Sequence, residues 1–399
     1  MSIFHSAENL FANQQNKLMK RITILFLLFS TIAPAQSETW LVKTSEKKIH
    51  NCSYDLLNPN LGADIYAVNC SKSQNFLNAE KNNNWKLFTR PNKTAIEVKD
   101  PMFNDQWGLG LININSFWKN QTTGDRRIKV AVIDSGLNYR HEDLQVNLDI
   151  NTNEIPNNGI DDDGNGYIDD YFGWNAADNS SDPMDDFDHG THVSGIIGAS
   201  SNNDIGIAGM NWNVSLIPVR FVDNHAGGRT EAAIRAIDYS VARGAKIVNM
   251  SWGGTTRSPL LEEIIKRCRE KGVLFIAAAG NEAKNNDDTP TWPASFPLDN
   301  IISVAAINLH KELAWFSNWG KSVHIAAPGE SILSTTGENR YGFKDGTSMA
   351  APHITGAAAL IWSSHPNWNY LEVKNYILNH CVTDRLTKIP VLCQGYFSF

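Results

Sequence analysis

Lys129-Val130-Ala131-Val132-Ile133-Asp134-Ser135-Gly136 is the stretch on which the fold turns. Residues Lys129–Ile133 read as a strand, and the run Val130–Ile133 is apolar at successive positions instead of at alternate ones. Both faces of such a strand must be covered, which is the mark of a parallel sheet between helix layers. Outward from it, strands read at Leu216–Phe221, Lys246–Met250, Val273–Ala278 and Ile301–Ala306. Helix-period segments read at Thr230–Arg243, Pro259–Lys271 and Ser348–Trp362. This alternation predicts an α/β fold: a doubly wound, mostly parallel sheet with helices on both faces. Sites in such sheets gather at the carboxyl ends of strands and at helix starts, where Asp134 already stands.

The other chemistry-bearing residues stand in the same kind of place. His189 opens His189-Gly190-Thr191-His192-Val193-Ser194-Gly195, a helix start made of small residues. Ser348 sits in Gly346-Thr347-Ser348-Met349-Ala350-Ala351-Pro352-His353, where a helix dipole and unpaired N–H groups favour developing negative charge. Asn281 follows Ala277-Ala278-Ala279-Gly280 at another strand end. These four segments resemble those of the subtilisin-like serine proteases, the subtilases, from about Asp100 to Asn379. The order Asp, His, Ser is the subtilisin order. No Gly-x-Ser-x-Gly surrounds Ser348, which removes an α/β-hydrolase, and His189 stands where the related carboxyl proteases have Glu.

The resemblance implies a nucleophile, Ser348; a general base and acid, His189; and Asp134 to hold the imidazole. The amide of Asn281 and the backbone N–H of Ser348 form the implied oxyanion hole. His192 and His353 belong to the motifs as structural residues. Ser251-Trp252-Gly253 stands where the family presents an extended edge to substrate, with Gly228 on the opposite edge. Ala278 and Gly280, just before Asn281, count with the substrate-binding residues. Trp252 replaces a smaller aliphatic residue common in the family and reshapes the pocket upstream of the scissile bond.

Two segments point to Ca2+. Asp161-Asp162-Asp163-Gly164-Asn165-Gly166-Tyr167-Ile168-Asp169-Asp170 spaces its oxygens like the first half of an EF-hand loop. The expected ligands are Asp161, Asp163, Asn165 and Tyr167. Position twelve is Phe172 instead of Glu, so Asp169 or Asp170 must close the site, and Asp170 is the residue expected to. The second segment resembles the family's high-affinity calcium site. There the resemblance implies Asp143, Asn203, carbonyls near Ser201, Ile205 and Ile207, and Asp100 from the mature N-terminus. One extra residue between Gly195 and Gly206 blurs that assignment by a position.

The chain has 399 residues and a net charge of −7, with 42% hydrophobic and 19% charged residues. No basic block exists to neutralise phosphates, so nucleic acid is not an expected partner. The apolar run from Ile22 to Ala33 follows Lys20-Arg21 and precedes Ala33-Pro34-Ala35. It is shorter than the roughly 20 residues of a membrane span and has the layout of a secretory signal. The expected divisions are a signal peptide over 1–35 (starting at Met1 or Met19), a small α+β propeptide over 36–98, a catalytic domain over 99–385, and a short tail over 386–399. A retained N-terminal binding domain is the alternative for 36–98. Self-cleavage is expected between about Lys93 and Asp100.

Cys52 with Cys70, and Cys381 with Cys393, stand as two pairs or as unrelated thiols; Cys268 reads as a core thiol. The resemblance implies a secreted, extracellular or periplasmic, monomeric serine endopeptidase of broad specificity. Its implied partners are polypeptide substrates and its own inhibitory propeptide. A dedicated processing protease and an inactive calcium-stabilised binding protein are the alternatives.

Overall fold

The structure, a computed structural model, describes residues 39–43, 52–56, 65–70, 97–223, 227–383 and 388–399, and divides into two units, Met1–Asn92 and Lys93–Phe399. The expected signal peptide lies outside the described residues. In the first unit β1 (Thr39–Lys43), β2 (Cys52–Leu56) and β3 (Ile65–Cys70) form an antiparallel sheet in the order β1-β3-β2. Its register sets Cys52 opposite Cys70. Any helix of the α+β unit expected there falls outside the described residues.

The second unit is built on the sheet read from the sequence. Its strands are β4 (Gly124–Asp134), β5 (Trp174–Asn175), β6 (Asn213–Arg220), β7 (Ile247–Met250), β8 (Leu274–Ala278), β9 (Ile301–Ile307) and β10 (Ile325–Pro328). They are parallel in the order β10-β9-β8-β7-β4-β6-β5. Around them lie α1 (Trp107–Leu111), α2 (Ile114–Asn120), α3 (His189–Gly198), α4 (Thr230–Ala242), α5 (Pro259–Arg267), α6 (Thr347–Ser364) and α7 (Tyr370–Asn379). A hairpin of β11 (Ile332–Thr336) and β12 (Arg340–Lys344) stands apart from the main sheet.

Strand β4 shows why both faces had to be apolar. Val130 and Val132 join one core cluster with Val193 and Ile197 of α3 and Ile354 and Leu360 of α6. Ala131 and Ile133 join another with Ala236 and Ile237 of α4 and Leu261 and Ile265 of α5. Successive side chains of a strand point to opposite faces, so one uninterrupted apolar run feeds two cores. Among the described residues no helix is long and apolar enough to cross a membrane.

Two boundaries differ from the sequence reading. The helix read over Pro259–Lys271 is α-helical to Arg267 and then tightens into a 3₁₀ turn over Cys268–Lys271, closed by Gly272 in the left-handed region at φ 71°. Cys268 is buried there as a free core thiol, and burial pushes it up to about 11. The last residues, set apart as a tail, are part of the domain. β14 (Tyr396–Phe397) adds to β10 in parallel, and β13 (Cys381–Val382) closes that edge antiparallel. Phe397 is fully buried, and Cys381 and Cys393 form a disulfide. Strands of two residues carry no period for a sequence to show.

Candidate active site

Asp134 is the last residue of β4, and its Oδ1 accepts hydrogen bonds from His189 Nδ1 at 2.7 Å and from the Ser135 N–H at 2.8 Å. With Nδ1 donating, the bare Nε2 of the neutral ring faces away from the carboxylate, ready to accept a proton. Burial pushes the His189 pKa down, but the charge and hydrogen bond of Asp134 outweigh it and leave the imidazole above its ordinary 6.5. The approach is close because residue 190 is glycine: a Cβ there would lie 2.0 Å from the Gly136 carbonyl oxygen.

Asp185, absent from the sequence reading, fixes the start of α3. Its Oδ2 accepts from the Thr191 N–H and hydroxyl at 2.8 and 2.7 Å, and its Oδ1 from the Ser135 hydroxyl at 2.8 Å. Ser135 Oγ in turn accepts from the Gly190 N–H at 2.9 Å, so the strand end and the helix start share one buried carboxylate. His192 and His353 are structural, as expected. His192 Nε2 meets the carbonyls of Ile332 and Gly342, and His353 Nδ1 that of Met349. Burial pushes them down to about 3 and about 4, which keeps both neutral.

Ser348 is the second residue of α6, after Gly346 at φ 149°. Asn281 accepts at Oδ1 from the N–H and hydroxyl of Thr347, each at 2.9 Å, which commits its oxygen and leaves its NH₂ for another partner. A Cβ on Gly346 would lie 3.5 Å from both Asn281 Nδ2 and the Ser348 N. Two N–H donors from different elements therefore flank one small space at the head of a helix. The hydroxyl of Ser348 donates to the Ser251 carbonyl at 2.9 Å, so it must turn to reach His189. Catalytic hydrogen bonds of a free enzyme commonly align only when substrate is bound.

The loop that carries Asn281 is organised by Asn318, fully buried and also missed from sequence. Its Nδ2 donates to the Ala279 carbonyl at 3.1 Å and its Oδ1 accepts from the Glu282 N–H at 3.0 Å. Gly280, at φ 110°, fits beneath it, for a Cβ would meet Asn318 Nδ2 at 2.4 Å. Ala278 ends β8.

Ser251, Trp252 and Gly253 follow β7, the central neighbour of β4. Trp252 is half-buried; its indole N–H donates to the Ile133 carbonyl at 2.8 Å and its ring lies 4.5 Å from that of Phe221. Gly228 bridges Val222 and sits on the same Phe221 ring, which a Cβ at 228 would touch at 2.3 Å. Phe221 thus joins the two expected substrate edges by a shared aromatic floor.

The acidic loop is arranged differently from the expectation at its closing end. Glu154, Asp161 and Asp163 bring carboxylate oxygens within 4.8 Å of one another, a spacing that fits a cation. Asp170 is fully buried at the edge of the cluster: Oδ1 accepts from Asn151 at 2.6 Å, and Oδ2 accepts from Asn165 Nδ2 at 3.3 Å and faces Arg243 at 3.2 Å. Its charge is already paired, while Glu154, seven residues upstream of the loop, brings the third carboxylate. Asp169 faces away, accepting from the N–H groups of Asn158 and Gly159. Asn165 and Tyr167 stay beside the cluster, linked by the Tyr167 N–H to Asn165 Oδ1 at 2.8 Å.

At the second segment the structure brings Asp143, Asn203 and Asp100 together. Asn203 Nδ2 donates to Asp143 at 2.8 Å, and Asp100 accepts from the N–H groups of Asn202 and Asn203 at 2.7 and 3.0 Å. Ile207 and Ile205 lie in the same loop, through Ile207 N–H to Asp143 and Ile205 N–H to Asn203. Ser201 is turned inward, its hydroxyl donating to the Ala199 carbonyl. Burial pushes Asp143 up to about 6 and Asp100 above the usual carboxylate range, so a nearby cation would favour both charged forms.

Known proteins are similar to this chain in sequence and fold. The model of the subtilase family matches residues 125–396. Subtilisin-like protease 1 of Plasmodium falciparum (isolate 3D7) is 35% identical over 333 residues, 77% of this chain and 48% of the relative. A thermophilic serine proteinase of Bacillus sp. (strain AK1) is 39% identical over 256 residues, 64% of this chain and 57% of the relative. The chain spans about half the length of the curated relatives it matches. A solved structure of proteases from Pseudoalteromonas arctica PAMC 21717 superposes with a TM-score of 0.62 at 26% identity, covering 75% of this chain and 95% of that one. The chain belongs to the subtilase family.

Proposed function

We propose that this subtilase is a secreted serine endopeptidase that hydrolyses peptide bonds through an acyl-enzyme on Ser348. The observation that carries the reading is the 2.7 Å bond between Asp134 and His189 in the same fold as a helix-start serine flanked by the Asn281 amide. The substrate backbone lies as an added strand between Ser251–Gly253 and Gly228. The Ser348 hydroxyl turns from the Ser251 carbonyl, gives its proton to His189 Nε2 and attacks the peptide carbonyl carbon. Asn281 Nδ2 and the Ser348 N–H receive the oxygen as it becomes negative. The imidazolium, held by Asp134, protonates the departing amine, and water repeats the sequence in reverse to release the acid.

The shared floor of Trp252 and Phe221 takes broad apolar or aromatic side chains upstream of the cut. Calcium is the ion we assign to Glu154, Asp161 and Asp163, with Asn165 and Tyr167 beside them, and to Asp143, Asn203 and Asp100. When bound it cross-links loops and takes no part in acyl transfer. Residues 36–98 act as an inhibitory propeptide removed by self-cleavage between Lys93 and Asp100. Asp100 is then near the new terminus, and its bonds to Asn202 and Asn203 tie that end down. The mature enzyme works as a monomer on extracellular or periplasmic polypeptides.

Casein digestion by the matured, calcium-loaded chain tests this. Release of many fragments, lost in Ser348→Ala, is the expected result. Intact casein with cleavage of only a few sequences in a peptide library would replace broad specificity by a processing role.

A further inference from the structure

Pro352 lies inside α6, four residues after the nucleophile. In a regular helix the carbonyl of residue 348 accepts from the N–H of residue 352, and proline has none. The Ser251 hydroxyl fills that gap, donating to the Ser348 carbonyl at 2.8 Å. Ser251 Oγ is itself held by Asn249 Nδ2 at 2.9 Å, and Asn249 Oδ1 by the Thr355 hydroxyl at 2.7 Å. The Thr355 hydroxyl is also 3.1 Å from the Ala351 carbonyl, and the shorter bond to Asn249 takes its proton. Asn249 and Thr355 are fully buried and Ser251 nearly so. Each hydrogen-bonding atom in the row has its partner, and none is left over to face substrate.

We infer that Asn249 and Thr355 are positioning residues, which aim the Ser251 hydroxyl at the carbonyl that Pro352 leaves unbonded and so fix the first turn of the nucleophile helix. The inference rests on the protease reading of Ser348. Thr355 lies about two turns further along the same helix, so the row runs out from Ser348 through the substrate strand and back. It ties the backbone edge at Ser251 to the peptide unit that follows Ser348, one unit along the chain from the N–H that receives the oxyanion. Displacements well under 1 Å at such a place cost rate without changing chemistry.

The test is a double-mutant cycle on the matured full chain, read as the rate of labelling by a fluorophosphonate probe per titrated active site. Ser251→Ala should slow labelling about tenfold. In a Pro352→Ala background the helix supplies its own N–H, and the same Ser251→Ala change should slow labelling by less than about twofold. Equal slowing in both backgrounds overturns the inference. Thr355→Val should also slow labelling about tenfold with the acid limb of its pH profile unmoved, and Thr355→Ser should restore the rate. An unchanged rate per site in Thr355→Val, even with a lower Tm, equally overturns it and leaves a merely structural role. If the unmutated chain takes no probe, the protease reading fails and the inference with it, a result distinct from a labelled chain with an additive cycle.

Discussion

Replacing Lys374 by methionine should change how the stability of the protein depends on pH. Lys374 lies on α7 and is 8% exposed. Its Nζ donates to the Ile301 carbonyl at 2.7 Å and the Asp299 carbonyl at 3.1 Å, and stands 3.4 Å from His324 Nε2. His324 Nδ1 accepts from the Ser303 N–H at 3.0 Å, so the ring proton of the neutral imidazole is on Nε2 and faces the lysine. An ammonium has three N–H donors and no lone pair, and would meet that N–H head on. A free amine fits the site: two N–H groups for two carbonyls and a lone pair for His324. Burial pushes Lys374 from 10.5 down to about 8, only partly opposed by the charge of Asp299, and burial holds His324 neutral at about 3. Asp299 is itself paired with Arg269 at 3.3 Å.

The gap between 10.5 and about 8, at about 1.4 kcal/mol per pH unit, comes to about 3.5 kcal/mol, of which about 3 kcal/mol falls between pH 7 and about 10.5. Between those two values the unfolded chain holds the proton that the folded chain has lost, so stability rises with pH across that window. Below about 8 the full cost of the buried site is present. Urea unfolding of the Ser348→Ala chain, which cannot digest itself, should be compared with the same chain carrying Lys374→Met from pH 7 to 10.5. The stability difference should move by about 3 kcal/mol in favour of lysine as the pH rises. Methionine leaves two carbonyls unbonded, a pH-independent loss that shifts the whole difference without changing its slope. A difference that stays flat over the window would refute the free-amine assignment.

Other consequences are simpler to state. Asn281→Ala should lower turnover about 10²–10³-fold with little change in KM, measured on a chromogenic peptide. Activity should fall on acidification through an apparent pKa above 6.5, because His189 must be unprotonated to act as base and Asp134 raises its pKa; the kcat/KM profile reports it. Glu154→Gln should shrink the rise in Tm that calcium gives, and a chelator should lower the Tm of the unmutated chain more than that of the variant. Cys381→Ser should cost about 3 kcal/mol by the loop-closure model, read as the urea midpoint, since the bridge closes a loop of sequence separation 12 onto the last strand.

Much of the candidate site was legible because its residues stand in short segments, each candidate at a fixed place in its own. Asp134, His189, Ser348 and Asn281 all fall at the strand ends and helix starts that their segments predict. The apolar strands were equally plain, since a strand buried on both faces cannot hide its composition. The residues that were missed act across the fold. Asp185 is one of several acids in Asp182–Asp188, and only contact with Ser135 and Thr191 marks it out. Asn318 reaches back 39 residues to Ala279. Glu154 lies outside the acidic loop whose carboxylates it joins, and Asp170 has its charge paired by Arg243, 73 residues away. No spacing rule connects such pairs, because tertiary packing alone brings them together.

Mass mapping of a fluorophosphonate adduct on the matured, calcium-loaded chain tests the central claim most directly. The account predicts one adduct, on Ser348, lost in Ser348→Ala and slowed in His189→Ala. No adduct, or an adduct that persists without Ser348, would contradict it.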